Sequence, residues 1–436
     1  MPLMEKLRRK FFWIKDKFLG GGIKHAYEEM VLAEKKGYAE KDVNYKIQKL
    51  LQHASETTIY YKAKKGARLL SDFPVVNKNT YKQNYEQFCS SIFVNEKLRK
   101  MSTSGSTGTP FTMIHDKEKV KRCNAAVIFF GELSGYHIGE KMTELRVWSR
   151  GAKKNRLAAW MMNMSMIDIS KLDIEQLQRV SVQIEKKKIK SLVGYASTYT
   201  ALVSALEKRD SNINNSFVHS IIAASEMLPE NTERKLTEFF GIPVAMRYSN
   251  MENGIIAERI GIGNKYYIDA TSYFIEILEM EEDKPVKEGE VGRIVVTDLY
   301  NYAFPIIRYD TGDTGALYKI ECEKGKYKWY FTEVYGRKTD IIYDTNGRML
   351  SPHTITNNMW DVPGIAQFKF IQKKSDSYQL ILNVTDLFEK EKQEACIIKT
   401  MKNILGTNAN LEVGYVDEIP VLSSGKRKYI ENQWKQ

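Results

Sequence analysis

The most chemically suggestive stretch of the sequence is Ser102-Thr103-Ser104-Gly105-Ser106-Thr107-Gly108-Thr109-Pro110, where eight of nine residues are Gly, Ser or Thr. Such a loop presents backbone N–H groups without steric obstruction and adds hydroxyl donors, which suits a chain of phosphates. No Gly-Lys-Ser/Thr follows at the spacing of a Walker A loop. Taken alone, the run reads equally well as a surface turn. A second segment is Arg247-Tyr248-Ser249-Asn250-Met251-Glu252. A tyrosine there can stack on a base and a glutamate can hold Mg2+ beside phosphates, although a core tyrosine and a surface glutamate would look the same. In a third, Arg308-Tyr309-Asp310-Thr311-Gly312-Asp313-Thr314-Gly315, a carboxylate on a glycine turn can accept both hydroxyls of a ribose, or simply close an Asx-turn hairpin. The six histidines show no metal-ligand spacing, and His25, His53, His115, His137 and His219 are expected in packing or surface roles.

These segments need a scaffold. An apolar run at 191–195 leads into a helix through Lys208 that Ser197 or Thr198 could cap. A buried-strand pattern at 219–224 precedes a helix over 229–240, with proline at its start and Gly241 after its end. Residues 242–248 are again strand-like, so the second segment sits at the end of a strand, where ligands bind in open α/β sheets. From 265 to 299 the pattern changes to β-rich alternation, predicting a separate antiparallel subdomain. After Gly336, strand patterns at 340–344, 366–372 and 378–384, a helix at 389–405 and a strand at 411–416 predict a small α+β domain. Residues 1–75 read as helical, with 45–61 a second amphipathic segment. The fold class expected is α/β: a large N-terminal domain, 1–335, with parallel and mixed sheets and a β-rich subdomain, then a small mobile α+β domain, 336–436.

Composition narrows the function classes. Hydrophobic residues make up 43% and charged residues 28%, as in ordinary folded domains, which excludes a disordered or collagen-like chain. Cys89, Cys123, Cys322 and Cys396 lack Cys-x-x-Cys spacing, so neither a disulfide framework nor a cysteine zinc site is expected, and a reducing cytoplasm is the simplest compartment. The 66 Lys+Arg against 54 Asp+Glu give a net charge of +12. The basic residues are spread along the chain without an aromatic-interleaved run, so no nucleic acid partner is expected. No apolar run reaches the roughly 18 residues of a membrane span, and 1–22 lacks the apolar core of a signal peptide. Leu7, Phe11, Ile14 and Phe18 fall at helical spacing between basic residues. Docking on the main domain is the expectation for that stripe, with weak peripheral contact to anionic lipid the alternative.

In chain order, the sequence holds the Ser/Thr/Gly loop, Tyr248 to Glu252, Tyr309-Asp310-Thr311-Gly312-Asp313, Gly336-Arg337-Lys338-Thr339-Asp340 and Pro420-Val421-Leu422-Ser423-Ser424-Gly425-Lys426. This series resembles the adenylate-forming superfamily of acyl-CoA synthetases, adenylation domains and luciferases. Together with Leu50-Leu51-Gln52-His53-Ala54-Ser55-Glu56-Thr57-Thr58-Ile59-Tyr60-Tyr61, it is similar to the phenylacetate–coenzyme A ligase branch, and within it to members found with capsular polysaccharide genes. The resemblance implies a ligase that activates a carboxylic acid with ATP and Mg2+, releases pyrophosphate, and passes the acyl group to an acceptor, by default coenzyme A. A sugar amine or a carrier protein is the alternative acceptor, and a nucleotide-binding scaffold without turnover the alternative class. Monomer and homodimer both remain open.

By resemblance, Ser102, Thr103, Ser104, Gly105, Ser106, Thr107 and Gly108 grip the phosphates, Glu252 binds Mg2+ and acts in catalysis, and Tyr248 stacks on adenine beside Ser249 and Asn250. Asp313 and Arg337 hold the ribose, and Ala223, Ala224, Ser225 and Glu226 line the adenine pocket. Asp340 is the hinge and Lys426 the catalytic lysine. The segments around 148–150 and 194–199 are expected near the acid, and His353 within reach of the closed site is a lesser alternative to a packing role. Three departures stand out. Phe111 follows the loop proline where the wider family often has lysine, Ser249 and Met251 replace the usual Gly and Thr, and the cysteine zinc spacing of some relatives is missing.

Overall fold

In the computed structural model, residues 2–102, 112–146, 154–169, 174–208, 217–225, 227–261, 263, 265–337, 342–350, 352–360, 362–420 and 428–434 are described. Among them, twelve strands form one mixed sheet. Its parallel half runs Met164–Asp168, Met142–Arg146, Ser191–Tyr195, Ser220–Ala224, Val244–Asn250. In register, Leu145, Gly194, Ala223 and Met246 lie side by side, so the carboxyl ends of these strands share one edge.

The predicted strand–helix alternation is there. The helix Glu230–Phe240 follows Pro229 and stops at Gly241, whose φ of 68° is the left-handed conformation that a helix C-terminus favours. One capping expectation fails. The helix Ala196–Glu207 starts directly from Tyr195 without a side-chain cap, and Ser197 and Thr198 are buried inside its first turn. The strand before it leaves no room for a capping turn.

The β-rich part is present, but it does not stand apart. Val244–Asn250 turns into Gly254–Ile260 as an antiparallel hairpin. Through Tyr266–Ile268, Lys326–Arg337, Tyr309–Glu323 and Gly292–Asp298 the same sheet continues to Tyr273–Leu278. One hydrogen-bonded ladder therefore joins the two halves at the hairpin that carries Glu252.

From residue 342 onward the chain builds its own core. Ile365–Gln372 and Ser377–Val384 pair antiparallel and are flanked by Ile430–Asn432 and Asn410–Tyr415 in a four-stranded sheet. Phe368, Phe370, Leu380 and Leu382 pack there against Ile397, Met401 and Leu405 of the helix Lys390–Leu405. The helix Pro352–Trp360 and the strand Ile430–Asn432 were not anticipated, being short and weakly patterned.

Three N-terminal helices, α1 (Leu3–Phe18), α2 (Gly22–Lys36) and α3 (Glu40–Thr57), precede the sheet. α3 buries Val43, Ile47, Leu50, Leu51 and Ala54 in the expected amphipathic manner. α1 does not. It docks on the large domain, but through Glu5 and Asp16, while Leu7, Phe11, Ile14 and Phe18 face outward. Periodicity reveals two faces, and the partners decide which one turns inward. Here Lys190 holds Glu5 at 2.7 Å, the backbone N–H groups of Ile23 and Lys24 donate to Asp16 at 3.2 and 2.9 Å, and the Trp13 ring lies 5.6 Å from that of Tyr27.

Candidate active site

Glu252 sits in the three-residue turn between Val244–Asn250 and Gly254–Ile260. The turn is closed from within: Asn250 Oδ1 accepts the backbone N–H of Asn253 at 2.7 Å, and Gly254 follows at φ 94°. The turn is also held from outside. His115 Nε2 donates to the Glu252 carbonyl at 2.9 Å. Lys119 donates to the Asn253 carbonyl at 2.7 Å and to the Tyr273 hydroxyl at 3.0 Å, and its ammonium is paired with the Asp298 carboxylate. The Tyr273 hydroxyl donates to the same Asn253 carbonyl.

Electrostatics follow from burial. Desolvation, with the Lys119 charge nearby, pushes His115 down to about 3, so the ring stays neutral and its N–H remains a donor. Burial works against the Lys119 charge too, but the Asp298 carboxylate overrides it and holds the ammonium above its ordinary value. A buried cation thereby stabilises the carbonyls of the turn.

His115 lies at the end of the strand Thr112–His115, which pairs with Arg99–Ser102 from Arg99↔His115 to Ser102↔Thr112. These two strands are the stems of the Ser/Thr/Gly loop. Thr103 to Gly108 themselves lie outside the described residues, as do Glu226, Asp340 and Lys426. The stem is anchored further by Asp116, which caps the helix Lys117–Leu133 through the Lys119 N–H at 2.8 Å. The other Asp116 oxygen accepts the N–H groups of Tyr302 and Ala303 at 2.7 and 3.2 Å.

Across from the hairpin, the strand Tyr309–Glu323 brings in the third motif. The Tyr309 hydroxyl donates to Glu252 Oε1 at 3.2 Å, and the Tyr248 hydroxyl donates to Asp313 Oδ2 at 2.8 Å. Burial beside these carboxylates pushes both phenols up, so they stay protonated donors. Thr311 orders the turn: its hydroxyl donates to the Ile294 carbonyl at 2.9 Å and accepts the Asp313 N–H at 3.1 Å. Arg308 enters the strand at a positive φ of 48°, kept there by a two-point ion pair with Glu276 and a 3.0 Å bond to the Phe73 carbonyl. Such strain persists only where the surroundings over-determine it. Asp313 is in register with Arg337, whose backbone belongs to Lys326–Arg337.

Glu252, Tyr248, Asp313, Tyr309 and the loop stem therefore converge. Ser249 and Asn250 continue the strand beside them, and Ser225 follows Ala224 on the neighbouring strand with a strained φ of 71°. Arg247 is tied at 2.7 Å to Glu258. Of the segments expected near the acid, 148–150 lies outside the described residues, whereas 194–199 lies at the shared strand edge. The side chain of His353 is likewise not described.

Sequence reading missed His115, Lys119, Tyr309 and Lys78 as site residues. Lys78 Nζ lies 3.8 Å from Glu252 Oε1. No local motif flags it, since about 170 residues separate the pair in sequence, whereas Tyr309 stood in plain view in the segment that holds Asp313.

The residue that could hold a metal here is Glu252. Mg2+ takes one or two carboxylates, completing its shell with phosphate oxygens and water. Glu252, 5% exposed and held by a fixed turn, could supply one such carboxylate. Among the described residues, no group of three or more His, Cys, Asp or Glu could form a cage made of protein alone.

Residues 342–433 match the family model described as CapK C-terminal domain. The chain is similar to Protein CapK of Staphylococcus aureus, 23% identical over 84% of this chain and 81% of that protein. It is also similar to phenylacetate-coenzyme A ligase of Thermus thermophilus, 21% identical over 75% of each. Among solved structures, 2-hydroxyisobutyryl-CoA ligase in the postadenylation state with 2-HIB-AMP superposes with a TM-score of 0.70, at 16% identity over 91% of each chain. The same enzyme with 2-HIB-AMP and CoA in the thioesterification state gives 0.55, at 17% identity over 92% of this chain and 90% of that one.

Proposed function

We propose that this chain, related to CapK and phenylacetate-coenzyme A ligase and folded as an adenylate-forming ligase, activates a carboxylic acid with ATP. A carboxylate oxygen attacks the α-phosphorus, the bond to the β-phosphate bridge breaks, and pyrophosphate leaves with that electron pair. In the second step the acceptor attacks the acyl carbon and AMP leaves. Coenzyme A is the acceptor of choice, its thiol proton passing to solvent as the thioester forms. The motif resemblance to members found with capsular polysaccharide genes supports a second acceptor class, an amine on a surface-polysaccharide sugar.

The carrying observation is the link from His115, on the loop stem, to the Glu252 carbonyl, with Tyr309 and Asp313 opposite. It links the stem of the Ser/Thr/Gly loop, the Glu252 turn and the Asp313 turn, which supports reading them together as phosphate, metal and ribose sites. In this reading Ser102 to Gly108 donate to the phosphates, and Tyr248 stacks on adenine while its hydroxyl stays on Asp313. Asp313 accepts the ribose hydroxyls with Arg337, and Ser225 and Glu226 border the base. A carboxylate has about four acceptor positions, so one tyrosine contact and a ribose are compatible at Asp313. Glu252, with Lys78 near it, would hold Mg2+, which supplies positive charge against the phosphates. Catalysis is then positioning plus preorganised charge, completed by Lys426 from the small domain.

We place the boundary of that domain at 335/336 and its hinge at Asp340. The lower TM-score for the thioesterification arrangement of the same neighbour supports a small domain that changes place between the two steps. ATP and reduced thiols are both cytoplasmic, which is where we place the reaction.

The test is pyrophosphate release across a panel of carboxylic acids. Acid-dependent release is expected, with Lys426→Ala slowing it about 10²–10³-fold while ATP still binds. Release that no acid stimulates would return the chain to the class of nucleotide-binding scaffolds. Equal, mild effects at Lys426, Arg427 and Lys428 would make that segment a solvated basic patch.

A further inference from the structure

α1 is inverted relative to an ordinary surface helix. At 100° per residue, Leu3, Ile14, Leu7, Phe18, Phe11 and Met4 fall within one arc of about 100°, and all six are exposed, Phe11 at 60% and Phe18 at 86%. Both acids of the helix, Glu5 and Asp16, are on the opposite side, buried and satisfied by Lys190 and by the start of α2. Arg9 also points inward, to Glu132 at 2.9 Å. The lysines do not follow them. Lys6, Lys10 and Lys17 border one margin of the apolar arc, Lys15 borders the other, and all four are exposed.

The patch extends beyond the helix. The Arg8 guanidinium lies 5.3 Å from the Trp160 ring, and Trp160, in the helix Arg156–Met161, is itself 62% exposed. The apolar strip runs the length of the helix, about 24 Å from 16 residues at 1.5 Å each, and an exposed apolar patch rimmed by charge marks an interaction site.

We infer that α1 is a surface anchor that lies in the plane of an anionic lipid bilayer, with its apolar arc in the acyl boundary and Lys6, Lys10, Lys15 and Lys17 at the headgroups. Charge selects this occupant. A second copy docked on the same face would bring two identical lysine margins together, whereas anionic headgroups complement them. An exposed tryptophan beside the strip suits the membrane interface, where an amphipathic ring has one apolar and one wet side. The inference is independent of the proposed reaction, since no residue of α1 belongs to the site.

The test is sedimentation of the full chain with vesicles. Binding is expected to phosphatidylglycerol–phosphatidylcholine vesicles, weaker in high salt, with little binding to phosphatidylcholine alone. Replacing Lys6, Lys10 and Lys17 by Gln should lower partitioning about fivefold per lysine. Phe11→Ser with Phe18→Ser should lower it roughly tenfold or more per ring. Unchanged circular dichroism and unchanged pyrophosphate release would show that the variants are folded. Failure to sediment with anionic vesicles, or binding that neither set of substitutions reduces, would overturn the assignment. So would a lipid-free dimer that the phenylalanine substitutions split into monomers, which would give the face to a second copy.

Discussion

Around the Glu252 hairpin the protein buries charge, with Lys119, Asp298, Glu252 and Arg308 all inside. Along α1 it exposes Leu3, Phe11 and Phe18 instead. Both regions reverse the usual placement of side chains, in opposite directions, and for different reasons. Inside, each charge has partners that come with the fold, so the cluster is rigid and holds a turn to within hydrogen-bond tolerance. Outside, the apolar arc is exposed, and the helix is held from behind by Glu5, Arg9 and Asp16 together with Trp13 against the Tyr27 ring. The first inversion stabilises a geometry, and the second leaves a surface available. Their stability effects should therefore differ widely.

The largest effect is expected at Lys119. Lys119→Met leaves Asp298 buried without its cation, and removing one partner of such a pair costs about 3–5 kcal/mol. Adding Asp298→Leu should recover much of that loss in urea unfolding. A single substitution costing nothing would mean that the cluster is not what holds the hairpin.

Next comes Asp313→Ala. It removes the contact to Tyr248 and the proposed ribose acceptor together, with an expected loss of roughly 2–4 kcal/mol in ATP binding and little in folding. Calorimetry with an unchanged ATP affinity would take Asp313 out of the site.

His115 sharpens the comparison through pH. Its folded value lies near 3 against an ordinary 6.5. Between those values the unfolded chain binds the proton and the folded one does not. Stability should therefore fall as pH drops from 6.5 toward 3. His115→Gln keeps a donor without a titrating group, so urea midpoints should decline less steeply over that window. An identical pH slope in the variant would assign the acid sensitivity to other groups.

The smallest effect is expected on α1. Phe11→Ser with Phe18→Ser should change folding stability by no more than about 0.5 kcal/mol per site, as for exposed positions without contacts. A loss of several kcal/mol in thermal unfolding would show that the arc is packed in solution, and the contrast between the two regions would disappear.

Much of the molecule was legible in one dimension. The helix Glu230–Phe240 announces itself by Pro229 and Gly241, because caps act through the backbone chemistry of adjacent residues. The parallel strands Ser191–Tyr195 and Ser220–Ala224 show as short apolar runs because both their faces are covered. The Ser/Thr/Gly loop, Tyr248, Glu252 and Asp313 could be singled out because each motif is local and their order is specific. Tertiary structure alone decided the rest. His115 and Lys119 reach the Glu252 turn across about 135 residues, and no local pattern records such a pairing. The β-rich region became part of the main sheet because the hairpin at Glu252 passes one ladder into the other. The pattern of α1 gave it two faces, but which face turns inward was set by Lys190, Glu132 and the start of α2. Periodicity and capping are properties of neighbours along the chain, whereas burial and polar satisfaction are properties of neighbours in space.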